Sequence, residues 1–340
     1  MNKQATIKDI AKKLNISTST VSRALRNAPD VNQETRNAVV SLSEELSYQP
    51  SRLALSLQQK QTHTIGVIVP NLDYVMATMV KGIDEVALEA GYTVMVCQSN
   101  ESFGREMVNT RRLLDSLVDG FIVSVSSETK VFDHFKKIQQ KNMPMVVFDR
   151  VSTDLVAPKV KLDNVEGGCL AMEHLIEQGY KRVAVLAGPK NLAISNERLE
   201  GCLKVMKKYK LKQEPSHIIH CDFNQQHAYE ATIDLLQLKN RPDAIFTISD
   251  RMAIGAMLAI KEKGLRMPED IGLVGFNNEP VTHLVSPKIS SVEQPAFEIG
   301  KAAAKLFLEQ MHHEEDLSNI ETVLKPRLVI RESSLRKNKK

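Results

Sequence analysis

The sequence holds little that would support metal, redox or membrane chemistry. Its four cysteines, Cys97, Cys169, Cys202 and Cys221, are scattered and form no C-x-x-C, so neither a zinc spacing nor a disulfide framework is present. Cys97 and Cys221 fall at apolar strand ends and Cys169 and Cys202 in helices, where a free thiol fills core space. The nine histidines show neither H-x-x-H nor H-E-x-x-H, and His312-His313 stands in an acidic, solvated stretch, so no metal and no cofactor is expected. No apolar run reaches membrane-spanning length and no apolar signal region opens the chain. A cytoplasmic location without a membrane partner is therefore expected. No G-x-G-x-x-G follows the first apolar strand, where Pro70-Asn71-Leu72-Asp73 stands, and no Walker loop occurs. Asp149 and Asp163 could pose as an acid–base pair, but nothing supplies a nucleophile, so no enzymatic activity is expected.

What the chain does have is length for two or three compact units: 340 residues, 42% apolar and 25% charged. The charge is unevenly placed. The first 60 residues carry nine Lys and Arg against five Asp and Glu, a surplus of +4 that equals the formal charge of the whole chain. Positive charge gathered in a small helical module is the footprint of phosphate contact. Within it, Thr6 and Asp9 form a capping box for a helix whose apolar side is Ile7, Ile10, Ala11 and Leu14. After the short link Asn15-Ile16, Ser17 caps a second helix. Val21, Ala24 and Leu25 make its buried stripe, and Thr18, Ser19, Ser22 and Arg23 form its other face. Short hydroxyls and one planar fork are the groups that read base edges in a major groove. The pattern is a helix-turn-helix; a pair of ordinary core helices is the plainer alternative. A third helix is expected from Asn32 to about Ser47, closing the small core through Val39, Leu42 and Leu46 before Tyr48-Gln49-Pro50 breaks it.

From Thr64 the period changes. Continuous apolar runs such as Ile65–Val69, Tyr92–Cys97, Phe121–Val125 and Pro144–Phe148 alternate with amphipathic helices, and the alternation repeats near Val183–Ala187, Ile218–Cys221, Ala244–Ile248 and Ile271–Phe276. Strand–helix alternation predicts open parallel sheets with right-handed crossovers, and two sets in series suggest two similar subdomains. Ligands of such sheets sit beyond the carboxyl ends of strands. That rule points at Asn71–Tyr74, Gln98–Asn100, Asp149-Arg150, Asp222-Phe223, Ser249–Arg251 and Asn277–Glu279. These loops offer amides and carboxylates, with Tyr74 and Phe223 as stacking surfaces, a set suited to a polar ring-shaped metabolite such as a sugar.

Thr6-Ile7-Lys8-Asp9-Ile10-Ala11, Ser17–Arg23, Glu34-Thr35-Arg36 and Tyr48-Gln49-Pro50 together resemble the LacI/GalR family of bacterial transcription regulators, and the likeness continues to the C-terminus. It implies an N-terminal all-α helix-turn-helix domain at 1–50, a hinge helix and linker at 51–61, a core at 62–334 and a basic tail at 335–340. The implied core is α/β, two Rossmann-like subdomains of the periplasmic-binding-protein type, at about 62–161 plus 292–321 and about 162–291 plus 322–334. The chain would cross between them near Leu162, Ser291 and Glu321. The resemblance gives a DNA-facing set of Thr6, Ser17, Thr18, Ser19, Thr20, Ser22, Arg23 and Arg36, with Leu57 as an apolar wedge between base steps. It matches Asp149, Asp163, Arg198, Phe223 and Asp250 to positions that line the family's effector cleft, joining Asp73, Tyr74 and Asn277 of the loops above. Asp163 and Asp250 could equally be strand-end caps or intersubdomain ion pairs. Leu55 stands where most relatives have arginine, and Asn277 where most have aspartate, so a ligand's identity is not transferable.

The expected function is a sequence-specific DNA-binding repressor. It would bind a palindromic double-stranded operator as a homodimer, under control of a small-molecule effector, a sugar or related metabolite. The rivals are a solute-binding protein, which the basic N-terminal module argues against, and a Rossmann-like enzyme. The sequence leaves dimer and tetramer both open, although the short polar tail after Ile330 shows no heptad repeat that would tie dimers together.

Overall fold

The structure, a computed structural model, describes residues 5–48, 61–212, 214–312 and 316–336. The expected hinge residues 51–58, with Leu55 and Leu57, and the tail from 337 lie outside the described residues. The chain divides into two compact units, Met1–Thr62 and His63–Lys340.

The first unit holds three helices, α1 (Ile7–Lys13), α2 (Thr18–Leu25) and α3 (Gln33–Glu45). Ile10, Val21 and Val39, one from each helix, are fully buried, and Ala11, Ala24 and Val31 complete the core. Asn15 takes φ 52° in the link, a left-handed turn that asparagine tolerates and that lets so short a connection reverse the chain. Ser17 and Asn32 cap α2 and α3, accepting from the N–H groups of Thr20 and Thr35.

The second unit is built on two six-stranded sheets. The first contains β1 (Thr64–Val69), β2 (Thr93–Gln98), β3 (Gly120–Val123), β4 (Met145–Phe148), β5 (Lys159–Leu162) and β11 (Glu321–Leu324), in the order β11-β5-β4-β3-β1-β2. The second contains β6 (Val183–Ala187), β7 (Ile218–His220), β8 (Ala244–Thr247), β9 (Gly272–Asn277), β10 (Ser290–Glu293) and β12 (Arg327–Val329), in the order β12-β10-β9-β8-β6-β7. The two strand orders are equivalent, and the sheets differ in the direction of the last strand, β11 running parallel to β5 and β12 antiparallel to β10. Every pairing is parallel except β10 with β12. Ile65, Val67, Ile68 and Val69 are fully buried because helices cover both faces, which is why β1 reads as an unbroken apolar run.

Two expected crossings shift. β10 stays with the second sheet as far as Glu293, paired between β9 and β12, and the chain leaves it at Gln294-Pro295. The following helix, Ala296–His312, belongs to the first sheet's layer: Gly82 and Gly300 admit the backbones of Phe297 and Met79 so closely that a Cβ at either glycine would collide. β11 then stays with the first sheet to Leu324 through its register with β5. Close backbone approach recurs where Gly168 and Gly201 seat the helices Asn164–Glu177 and Ala193–Lys208 against each other. That contact fixes the helix carrying Arg198.

Candidate functional site

Two surfaces carry the chemistry, one in each unit. In the first, Thr18, Ser19 and Arg23 are exposed on α2, while Thr20 and Ser22 are half-buried. The Ser17 hydroxyl caps Thr20 N–H at 3.0 Å and lies 2.6 Å from the Ser19 hydroxyl and 2.8 Å from that of Thr20. The start of the helix thus presents a linked cluster of hydroxyls. Thr6 is exposed at the start of α1, its N–H and hydroxyl both donating to Asp9, at 2.8 and 2.7 Å.

Arg23 donates to Asp30 at 2.7 Å across exposed surface. Arg36, expected to face DNA, is committed elsewhere. Its Nη2 donates to the carbonyls of Ala28 (2.8 Å) and Val31 (3.0 Å), and its Nη1 to Gln33 Oε1 (3.1 Å). These carbonyls belong to the α2–α3 connection, outside the helical ladders, and Ala28 O also accepts from Val31 N–H at 3.2 Å. Arg36 therefore pins the segment that carries Asp30.

In the second unit, a cleft of about 560 Å³ opens where strand ends of the two sheets face each other. Of the expected ligand residues, Asp73, Asp149, Arg198, Phe223 and Asn277 line it. Glu101, Asp149, Asn100 and Asn277 hold φ of 61°, 57°, 53° and 110° on its loops. Such backbone costs about 1–3 kcal/mol per residue and persists where the surroundings enforce it, commonly at ligand sites.

Arg198 is the anchor. Its guanidinium stacks 3.7 Å from the Phe276 ring centroid and donates to Ile248 O (2.7 Å), Asn164 Oδ1 (2.9 Å) and Gln294 Oε1 (3.4 Å). Burial lowers its pKa to about 10, which still leaves it charged near neutrality. Gln294 in turn donates to Asp149 at 3.1 Å. Asp149 follows a first-sheet strand and Gln294 a second-sheet strand, so this chain of bonds spans the cleft floor. Arg251 reaches Asp73 at 3.0 Å, a second link between the two sides.

Three expected residues do not line the cleft. Tyr74 is half-exposed at the first turn of the helix Tyr74–Glu89. Asp163 caps the helix Asn164–Glu177, accepting from Glu166 N–H at 3.0 Å, and pairs with Lys325 at 2.7 Å. Asp250 is fully buried behind the wall, accepting from Ser291 Oγ and Glu279 N–H, both at 2.7 Å. Burial pushes its carboxyl up to about 8, the two donors offsetting only part of the desolvation. The wall gains Glu101, Arg150 and Gln294, which sequence reasoning did not single out as ligand residues. Arg150 stood in a named loop and Glu101 directly after one; Gln294 carried no signal, because its place depends on where the chain crosses.

Residues 6–51 match the family described as bacterial regulatory proteins, lacI family, and residues 172–334 match a periplasmic binding protein-like domain. The HTH-type transcriptional repressor CytR of Escherichia coli (strain K12) is 33% identical over 308 residues, 90% of each chain. This chain belongs to the lacI family. The ribose operon repressor of Halalkalibacterium halodurans is 34% identical over 331 residues, 97% of each chain. Among solved structures, a lac repressor dimer bound to operator and the anti-inducer ONPF superposes with a TM-score of 0.86 at 26% identity, covering 98% of this chain and all of that one. The lacI match spans α1, α2 and α3, and the alignments run on through both sheets, so the α2 face and the cleft are parts of one lacI-family regulator.

Proposed function

We propose that this lacI-family regulator is a repressor that binds a two-fold symmetric operator as a homodimer and answers to a small polar metabolite in the cleft. One observation carries the reading: a single chain joins a helix-turn-helix with an exposed Arg23 face to a cleft anchored by Arg198. Thr18, Ser19 and Arg23 read bases, and Arg23, released from Asp30, offers its fork to a guanine. A ligand touching the loops of both sheets changes the angle between them and so the DNA-binding geometry of the dimer. For that to act as a switch, the ligand must favour one arrangement by about 1–3 kcal/mol. The apolar side chains Met95 and Val96, exposed on the edge strand β2, suit burial against a second copy. A sugar suits the amides, carboxylates and Phe223 ring of the wall, in keeping with the ribose operon repressor among the relatives. The chain acts in the cytoplasm, where operator DNA is, and returns its ligand unchanged.

The test is selection of bound sequences from a random duplex pool by the full chain, with and without a bacterial metabolite extract. An enriched palindrome supports the proposal. No enrichment under either condition overturns it.

A further inference from the structure

Helices and strands alternate through the second sheet. Every connection that leaves a helix and enters one of the parallel strands β6, β7, β8 or β9 therefore lies at one end of that sheet, opposite the cleft. Those four connections, 177–182, 207–217, 237–243 and 261–271, carry eleven Lys and Arg against six Asp and Glu. The surplus is no bias of composition, because the chain after its first 60 residues is neutral as a whole. Some of these cations have ordinary partners. Lys208 pairs with Glu173, Lys212 with Glu214 and Arg266 with Asp270. Lys207 and Lys261 stand in the last turns of helices, where a cation offsets the helix dipole. Lys181, Arg182, Lys239 and Arg241 do neither. They lie outside any helix, and among the described residues no carboxylate is within ion-pair distance of their side chains. Asp243 accepts instead from the N–H groups of Lys181 at 3.1 Å and Arg182 at 2.8 Å. Arg182 Nε donates to Arg241 O at 2.8 Å, which holds the two arginines together. Next to Lys181, the Tyr180 ring is covered by Arg336, whose guanidinium stacks 3.8 Å from the ring centroid and donates to Gly179 O at 3.2 Å. The sequence continues from Arg336 into Lys337, Lys339 and Lys340.

Such an end fits a polyanion that offers little apolar surface. Among the described residues of the four connections, Tyr209 is the only exposed large apolar side chain, too little for the core of a protein interface. Guanidinium forks and long lysines match a repeated phosphate, and they hold it without reading bases. The polyanion that surrounds a lacI-family regulator is the DNA that carries its operator.

We infer that this end of the second sheet binds the phosphate backbone of a second DNA duplex, without sequence preference. A regulator held on one stretch of DNA by its helix-turn-helix thereby holds another. The full chain is mixed at low salt with two random-sequence duplexes carrying different dyes, and complexes that hold both dyes are counted on single molecules. Lys181→Gln, Lys239→Gln and Arg241→Gln together remove three positive charges and, among the described residues, no side-chain hydrogen bond or ion pair. The triple variant should melt as wild type does and keep its one-dye complexes, while two-dye complexes fall at least about tenfold. The charge-keeping set Lys181→Arg, Lys239→Arg and Arg241→Lys should keep them at the wild-type level. An absence of two-dye complexes with wild type would overturn the inference. Equal numbers with the triple variant would also overturn it, because the two helix-turn-helix modules of a dimer would then account for the bridging. Dye-labelled polyglutamate held by wild type and lost by the triple variant, with no second duplex held, would assign the surface to an acidic protein and overturn the choice of DNA.

Discussion

Asp250→Asn should flatten a pH dependence of stability that the buried carboxyl imposes. Asp250 is fully buried, with a pKa raised to about 8 by desolvation, against about 3.9 in an unfolded chain. Between those values the native state holds a proton that the unfolded state has released. Stability therefore falls as pH rises from about 4 to about 8, at up to about 1.4 kcal/mol per pH unit. The benefit of the protonated form is complete below the unfolded value and gone above the folded one. From pH 5 to pH 8 the ceiling is about 4 kcal/mol, and relaxation around the ionised group reduces it to about 2–4 kcal/mol. An asparagine keeps an oxygen for the Glu279 N–H and an amide for Ser291 Oγ, but cannot ionise. Urea unfolding of wild type and variant, followed by far-UV circular dichroism between about pH 5 and pH 8, cancels the other titrations in the difference. The variant should gain about 2–4 kcal/mol on wild type across that range. Parallel profiles would refute the reasoning, since they would mean that Asp250 is ionised in the fold throughout and that Arg331, the nearby cation, holds it so.

Three further substitutions probe the two surfaces. Arg198→Met leaves Ile248 O and Asn164 Oδ1 buried without their donor and should lower unfolding free energy by roughly 3 kcal/mol in urea titrations; an unaffected midpoint would contradict its anchoring part. Arg36→Met should loosen the α2–α3 connection, lowering hydrogen-exchange protection of α1–α3 by about 1–3 kcal/mol. If protection holds and the salt slope of DNA binding drops by about one instead, Arg36 is a phosphate contact. Arg23→Ala should abolish operator selectivity while leaving weak, salt-sensitive binding, and unchanged selectivity in a competition assay would remove Arg23 from the base-reading set.

Local chemistry was legible in the sequence, and tertiary commitments were not. The Ser17 cap, the α2 stripe and the alternation of strands with helices follow from side-chain type and spacing, and they appear where expected. Arg36 is different. Its partners are main-chain carbonyls, which no side-chain pattern announces, and its place in the DNA-facing set came from the resemblance alone. Asp163 and Asp250 each follow a strand or a strand-end residue, as ligand residues do, yet one caps a helix and the other is sealed under the wall. Burial depth separates them, and depth is set by packing across elements far apart in the chain. The crossings slipped by a few residues for a related reason. Ser290–Glu293 is short and mostly polar, so its sheet is decided by its neighbours β9 and β12 and not by its own pattern.

In the proposed switch, cleft and DNA-binding module are thermodynamically coupled. A titration of the bacterial metabolite extract tests this, read by melting of the chain with and without selected operator, beside operator affinity with and without the extract. Linkage requires the two shifts to be the same factor, typically about 5–150-fold. Equal factors in both directions are the predicted result. A saturated cleft that leaves operator affinity unchanged would contradict the account.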